Sequence, residues 1–242
     1  MARIFLTLAG ISLALMVTNF VIGLNVGDVN KISKSHRQAS VDLREANRNQ
    51  MDETSEEYVI LKKKATEARQ AYDAVKVRHR VHFLLGVAAA LFVVLVNSIS
   101  VTYFIGTSRW CKEAVDTYSP DQSFADRSRK LKSRTFPWSI SSVLVIIVVA
   151  AFGGAADPGT SIETASNWVT PHLMAAIIGT CWVGYAFFVQ IGLIGAHFDV
   201  IQEILAVVEG IRGHDEHPSG NDDAQPQREK SESKTEQGGD EI

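Results

Sequence analysis

Charged side chains vanish from four intervals of the chain: Ile4 to Gly27, Val81 to Ser108, Thr135 to Ala156 and Thr164 to Phe198. A helix needs about 20 apolar residues to cross the hydrocarbon core of a bilayer, and each interval is long enough to supply them. The pattern predicts four transmembrane helices, the first within residues 1–28 (core 4–24) and the others at 82–106, 137–155 and 171–195. A cleaved signal peptide is the alternative for the first. Its apolar stretch is longer than such a segment needs and no Ala-x-Ala site follows, so a retained anchor is expected.

Between the first two spans, residues 29–81 follow a different rule. There is neither glycine nor proline between Gly27 and Gly86, and Ala, Glu, Lys, Arg and Gln abound, a composition that favours helix. Both ends must return to one membrane face, so a reversal is needed. The stretch NRNQMDETSEEY offers it, with Thr54 and Glu57 at capping-box spacing. The expectation is an antiparallel helical hairpin, 29–48 and 54–81. Its second arm carries a seven-residue repeat: Met51, Tyr58, Ala65, Tyr72 and His79 hold one seam position, and Leu61, Ala68, Val75 and His82 the other. Val29, Ile32, His36, Ala39, Leu43 and Ala46 supply the facing stripe. A coiled-coil-like seam so rich in alanine is modest, which favours pairing with a second copy or a partner protein.

The remaining segments take their character from charge. The 107–136 loop is basic and includes a short amphipathic helix, whereas the glycine-rich loop 156–170 has no Lys or Arg. The excess of Lys and Arg on cytoplasmic loops therefore places 107–136 and both termini in the cytoplasm. Residues 25–81 then lie outside with twelve basic and nine acidic residues, and Lys76, Arg78 and Arg80 beside the second span argue the other way. Arg127, Arg129, Lys130, Lys132 and Arg134 form a lipid-surface anchor, each worth about 1 kcal/mol beside anionic lipid. Tyr103, Trp110, Trp138 and Trp168 stand at span ends, where an interfacial aromatic belt sits. Thr170 before Pro171 reads as the start of the fourth span. Residues 196–213 continue it as an amphipathic extension that Gly213 stops, and 214–242, nearly devoid of aliphatic residues, are expected to be disordered.

Chemistry is sparse. The sequence holds no phosphate-binding glycine loop, paired metal-spaced cysteines, serine elbow or His-Glu-x-x-His motif. No Asp, Glu, Lys or Arg falls within a predicted span, although transport would ordinarily require such residues there. Asn19, Asn97, Thr102 and Gln190 are the main polar groups there, with interhelical hydrogen bonding a sufficient role. Ala175 with Gly179, and Gly192 with Ala196, permit close helix contact. Cys111 and Cys181 cannot meet, and Cys111 is either a small packing residue or an acyl acceptor. Histidine is the one candidate chemistry: His79 and His82 share a helix face, and His172 begins the fourth span at the same membrane face. A divalent metal or a haem is sterically permitted there, against the simpler reading of interfacial histidines, and no cofactor is predicted.

The expectation is therefore an all-α, multi-pass protein of an inner or plasma membrane. Its role is non-enzymatic scaffolding, assembly or interaction, without nucleic acid. A receptor-like sensor without its own output domain, a haem or metal redox protein, and a small transporter or pore are the alternatives.

Overall fold

The computed structural model of the chain describes the backbone of residues 2–215 and the side chains of residues 3–212. The tail expected to be disordered lies outside the described residues beyond Asp215. Among the described residues every regular element is helical: α1 (Ala2–Leu24), α2 (Val29–Arg48), α3 (Glu56–Tyr118), α4 (Ser123–Ala156) and α5 (Ala165–Asp215). All but α2 are long and apolar enough to cross a membrane. This is the architecture of a polytopic membrane protein, with α1, α3, α4 and α5 forming the bundle and α2 standing at one end of it.

Local chemistry sets the joints. Gly27 adopts φ +84°, which a side chain would resist, and turns α1 into α2. Asp28 then caps α2 by accepting from the Lys31 N–H at 3.0 Å. The far end of α2 closes with the Met51 N–H donating to the Ala46 carbonyl and the Gln50 N–H to the Asn47 carbonyl, the two bonds of a Schellman motif. That motif needs a left-handed residue, and Gln50 supplies it at φ 54°. Gln50→Gly is expected to stabilise the protein by about 1 kcal/mol, because glycine meets no Cβ penalty in this region. Chemical or thermal unfolding of both proteins in one detergent would check it.

Four sequence expectations are shifted. The cap of α3 is Ser55, not Thr54. The Asp52 carboxylate takes both the N–H and the hydroxyl of Thr54, at 2.9 and 2.8 Å, which leaves the Ser55 hydroxyl to accept from the Tyr58 N–H. The 107–136 stretch is not a loop with its own helix. It is the continuation of α3 to Tyr118 and of α4 from Ser123, because nothing breaks a helix between Gly106 and Pro120. Pro120 helps end the run by disfavouring the helical conformation at the residue before it, and Ser119 closes the helix as a left-handed cap at φ 53°.

At the other end, α5 starts at Ala165, six positions before Pro171, which lies inside the helix. The extra turn is nucleated by the loop itself, where the Ala165 N–H donates to the Ser161 carbonyl and the Asn167 N–H to the Thr164 carbonyl. The Asn167 carbonyl, which a proline four residues on cannot bond, sits on an exposed residue. Nor does Gly213 end α5, which runs on to Asp215.

The bundle core is built from Phe5, Ala9 and Met16 of α1, Ala89, Val93, Val96 and Phe104 of α3, Ile146 of α4, and Val183, Phe187 and Ile194 of α5. Leu6, Leu91, Ile147 and Ile178 face outward, as lipid-facing positions do. At 63 residues, α3 measures about 95 Å. It is the one helix that passes α2, crosses the bundle and emerges beyond it.

Candidate functional site

Two polar layers mark the ends of the bundle. The first lies where α2 meets it. Here Asn19 and Gly23 of α1, Asn30 of α2, His79 and His82 of α3, Gly153 and the end of α4, and His172 of α5 converge. The half-buried rings of His82 and His172 each sit over a glycine of a neighbouring helix. A Cβ at Gly23 would stand 2.7 Å from His82 Cε1, and one at Gly153 would stand 3.0 Å from His172 Cε1. Real Cβ atoms do not come as close as the first distance and seldom as close as the second, so these glycines make room for the rings. His82 Nδ1 lies 3.2 Å from the Asn19 carbonyl oxygen. A carbonyl can only accept, so the neutral ring carries its proton on Nδ1.

The structure thus brings His82 and His172 together, ring centroids 6.3 Å apart. His79 points elsewhere, its Nε2 3.6 Å from Asp157 Oδ1. Among the described residues no group of three or more His, Cys, Asp or Glu side chains is arranged to hold a metal ion. The layer's other bonds join helices. Asn30 donates to the Ala156 carbonyl, linking α2 to α4, and Arg78 donates to the Asn25 carbonyl at 3.1 Å. Arg78, one of the cations that argued against the sequence-based orientation, therefore has a local task at the end of α1.

Beyond this layer, α2 runs along the first turns of α3. His36 stacks on Tyr72 with centroids 5.0 Å apart, and Lys64 lies 3.8 Å from Asp42. Of the seam positions, Tyr58 and Val75 are buried, while Leu61, Ala65, Ala68 and Tyr72 are half-buried; the α3 residues between them are exposed. Val59, Ile60 and Val77 are among those left outward, at 53%, 57% and 66% exposure.

The second layer lies at the opposite end. His197, fully buried on α5, places Nε2 2.8 Å from the Ser128 hydroxyl of α4, which in turn meets the Ser108 hydroxyl of α3 at 2.9 Å. Its Nδ1 lies 3.4 Å from the Tyr103 hydroxyl, and Phe104 covers the ring. Tyr103, half-buried, thus turns its hydroxyl toward the bundle. Trp138 packs on Trp182 and Tyr185, and Trp168 on Phe152, while Trp110 is exposed. Cys111 is enclosed by Ala114, Val200 and Ile204, and burial pushes its thiol up from the usual range, which leaves an acyl donor no access.

Between the layers, Gln190 of α5 bridges α3 and α4. It accepts from the Ser139 hydroxyl at 3.0 Å and donates to Asn97 Oδ1 at 3.1 Å. Asn97 completes the chain by donating to its own helix at the Val93 carbonyl. Asn97 and Gln190 stand out in the sequence as polar residues in apolar runs. The small partners Ser128 and Ser139, and the recesses at Gly23 and Gly153, carry no such signal.

The basic cluster divides. Arg127 donates to both carboxylate oxygens of Glu203 on α5, the longer bond at 3.1 Å. This pair holds Arg127 above its ordinary value and Glu203 below the usual carboxylate range. Lys130 and Arg134 flank a groove against α5, whereas Arg129 and Lys132 lie off it. A carboxylate whose folded value is lowered stabilises the fold above its unfolded value and loses that contribution as pH falls through the folded one. Glu203→Gln is therefore expected to lower the melting temperature slightly at neutral pH, the pair being half-exposed. The difference from the parent should begin to shrink as pH falls through the unfolded glutamate range of about 4.3 and disappear only below the lowered folded value, which melting curves from pH 7 downward would show.

No protein-family model matches the chain, and no curated protein or solved structure matches it either.

Proposed function

We propose that the protein is a non-enzymatic membrane scaffold, holding a helical hairpin of α2 and the first turns of α3 outside the membrane and an α5 extension inside it. The observation that carries this reading is the continuity of α3. One helix from Glu56 to Tyr118 joins the hairpin tip, the span and the inner end, so the tip stands on a rigid post. At about 1.5 Å per residue, the 26 residues from 56 to 81 project roughly 40 Å. The polar layers support the reading in another way. Their side chains bond mainly to other helices of the same bundle, which suits holding helices in register.

The hairpin seam closes within the chain, so a partner must use the outward face, where Val59, Ile60 and Val77 stand in water. Single exposed aliphatics are ordinary on a soluble surface; on a slender two-helix projection they are the natural points for a second copy or another protein. In this orientation both termini are cytoplasmic. The test uses the full chain carrying Cys181→Ser with Val59→Cys or Ile60→Cys. An impermeant maleimide should label the tip from outside intact cells, and a thiol cross-linker should give adducts of higher mass in native membranes. Labelling only after lysis would overturn the orientation. A monomer with no adduct at either position would overturn the scaffold.

The same continuity of α3 favours one second reading, a receptor-like sensor that passes movement of the tip to the α3–α5 contacts at the inner end. Insertion of one residue at the span boundary would separate the two. Scaffolding tolerates the 100° rotation this imposes, and signalling does not.

A further inference from the structure

A groove of about 250 Å3 lies between α4 and α5, lined by Arg127, Lys130, Leu131, Arg134, Ala196 and Val200. Its floor is apolar and its α4 rim cationic. Spacing explains the rim: positions 127, 130, 131 and 134 fall on one face of α4, and Leu131 is the residue of that face that turns into the core. Arg127 is committed to Glu203, with Asp199 also within its electrostatic reach. Lys130 and Arg134 have no ion-pair partner among the described residues, and so offer two free cations above an apolar floor.

The groove also has a continuation. One turn above Ala196 on the same face of α5 stands Gly192, where an added Cβ would meet nothing within 4 Å. A further turn up is Phe188, the most exposed large apolar residue of the bundle at 74%. The exposed column Phe188–Gly192–Ala196 thus runs from the charged rim along the apolar body of α5, with open space over the glycine. Trp138, four residues beyond Arg134 on α4, borders the same end of the span.

We propose that this groove is a discrete binding site for one anionic phospholipid. Lys130 and Arg134 hold the headgroup phosphate, and an acyl chain lies along the open face of α5 at Gly192. A phosphate ester is the fitting anion, since both cations can donate to its oxygens at once. The lipid source is favoured over free phosphate because the rim ends on an apolar track, which an inorganic ion would leave empty. Arg129 and Lys132, on other faces of α4, contribute only the diffuse attraction of any basic surface beside lipid.

The experiment is native mass spectrometry of the full chain released from nanodiscs of phosphatidylcholine with phosphatidylglycerol, counting retained lipid. The parent should keep one phosphatidylglycerol, and Lys130→Gln with Arg134→Gln should reduce its retention about thirty-fold, the loss of two direct ion pairs of about 1 kcal/mol each. Arg129→Gln with Lys132→Gln, which removes the same charge, should change it less than about two-fold, because the diffuse attraction of a charged bilayer is gone once the protein is released from the nanodisc. Gly192→Leu puts a side chain in the path of the acyl chain and leaves the rim intact, and it too should lose the lipid while melting no lower than the parent. Equal losses in the two charge variants would overturn the site, leaving only a basic surface. Retention of phosphatidylcholine in equal amount would overturn the anion, and displacement of the lipid by millimolar inorganic phosphate would overturn the lipid as occupant.

Discussion

Gly179→Leu is expected to destabilise the protein by about 3 kcal/mol or more, the upper range of overpacking effects. Gly192→Ala, at a glycine of the same helix, should be neutral or stabilising by up to about 1 kcal/mol. The opposite signs follow from what each position faces. A Cβ at Gly179 would stand 2.7 Å from Val149 Cγ2 and 3.2 Å from Val145 Cγ1, while one at Gly192 meets nothing. Both valines are β-branched and on α4, where a helix leaves such side chains essentially one rotamer. Neither can swing aside, so even one carbon must push α5 off α4. Gly179→Ala should fall between these outcomes, because the helix propensity gained offsets part of the clash. Detergent-titration unfolding of the three variants gives the order. Finding Gly192→Ala the more harmful would mean that the α4–α5 crossing lies elsewhere.

Gly179 also shows how far the sequence could be read. Ala175–Gly179 and Gly192–Ala196 are the same signal, small residues four apart, yet α4 side chains pack over the glycine only in the first. The choice depends on how two helices are rotated against each other, which no single segment contains. The four spans were legible for the opposite reason: exclusion of charge from lipid acts on each segment alone. Terminal positions failed wherever a competitor decided them. Thr54 would have capped α3 had Asp52 not taken its hydroxyl, and the turn before Pro171 forms because the residues at 161–164 nucleate it. His79 and His82 share a face as their spacing requires, but each found the nearest group across the bundle, Asp157 for one and Asn19 for the other. The basic cluster was legible as a cluster. Which cations stand over a groove became visible only when α5 was laid beside α4.

Gln190→Leu should cost about 2 kcal/mol, more than the 0.6 kcal/mol or so of an average interhelical hydrogen bond in a membrane protein. The excess comes from what is left behind. Leucine matches glutamine closely enough in size that no large cavity opens, so the loss is polar. Gln190 is the acceptor for Ser139 and the donor to Asn97 Oδ1, and all three residues are buried. Ser139 can turn its hydroxyl back to a carbonyl of its own helix, as serines in apolar helices do. Asn97 has no such escape, because its Nδ2 is already bonded to the Val93 carbonyl and its Oδ1 cannot donate. One orphaned carbonyl in a dry interior costs about 1–3 kcal/mol, and hydrocarbon offers no water to relieve it. Asn97→Leu in the Gln190→Leu background removes that orphan. The double variant should therefore be more stable than the sum of the single losses predicts, by about 1 kcal/mol or more, since replacing both partners of a buried pair with apolar groups can be nearly neutral. A double-mutant cycle measured by reversible unfolding provides the number. If the two losses simply added, Gln190 and Asn97 would be acting as separate polar residues, and the link that ties α3 to α5 at mid-span would have no energetic content.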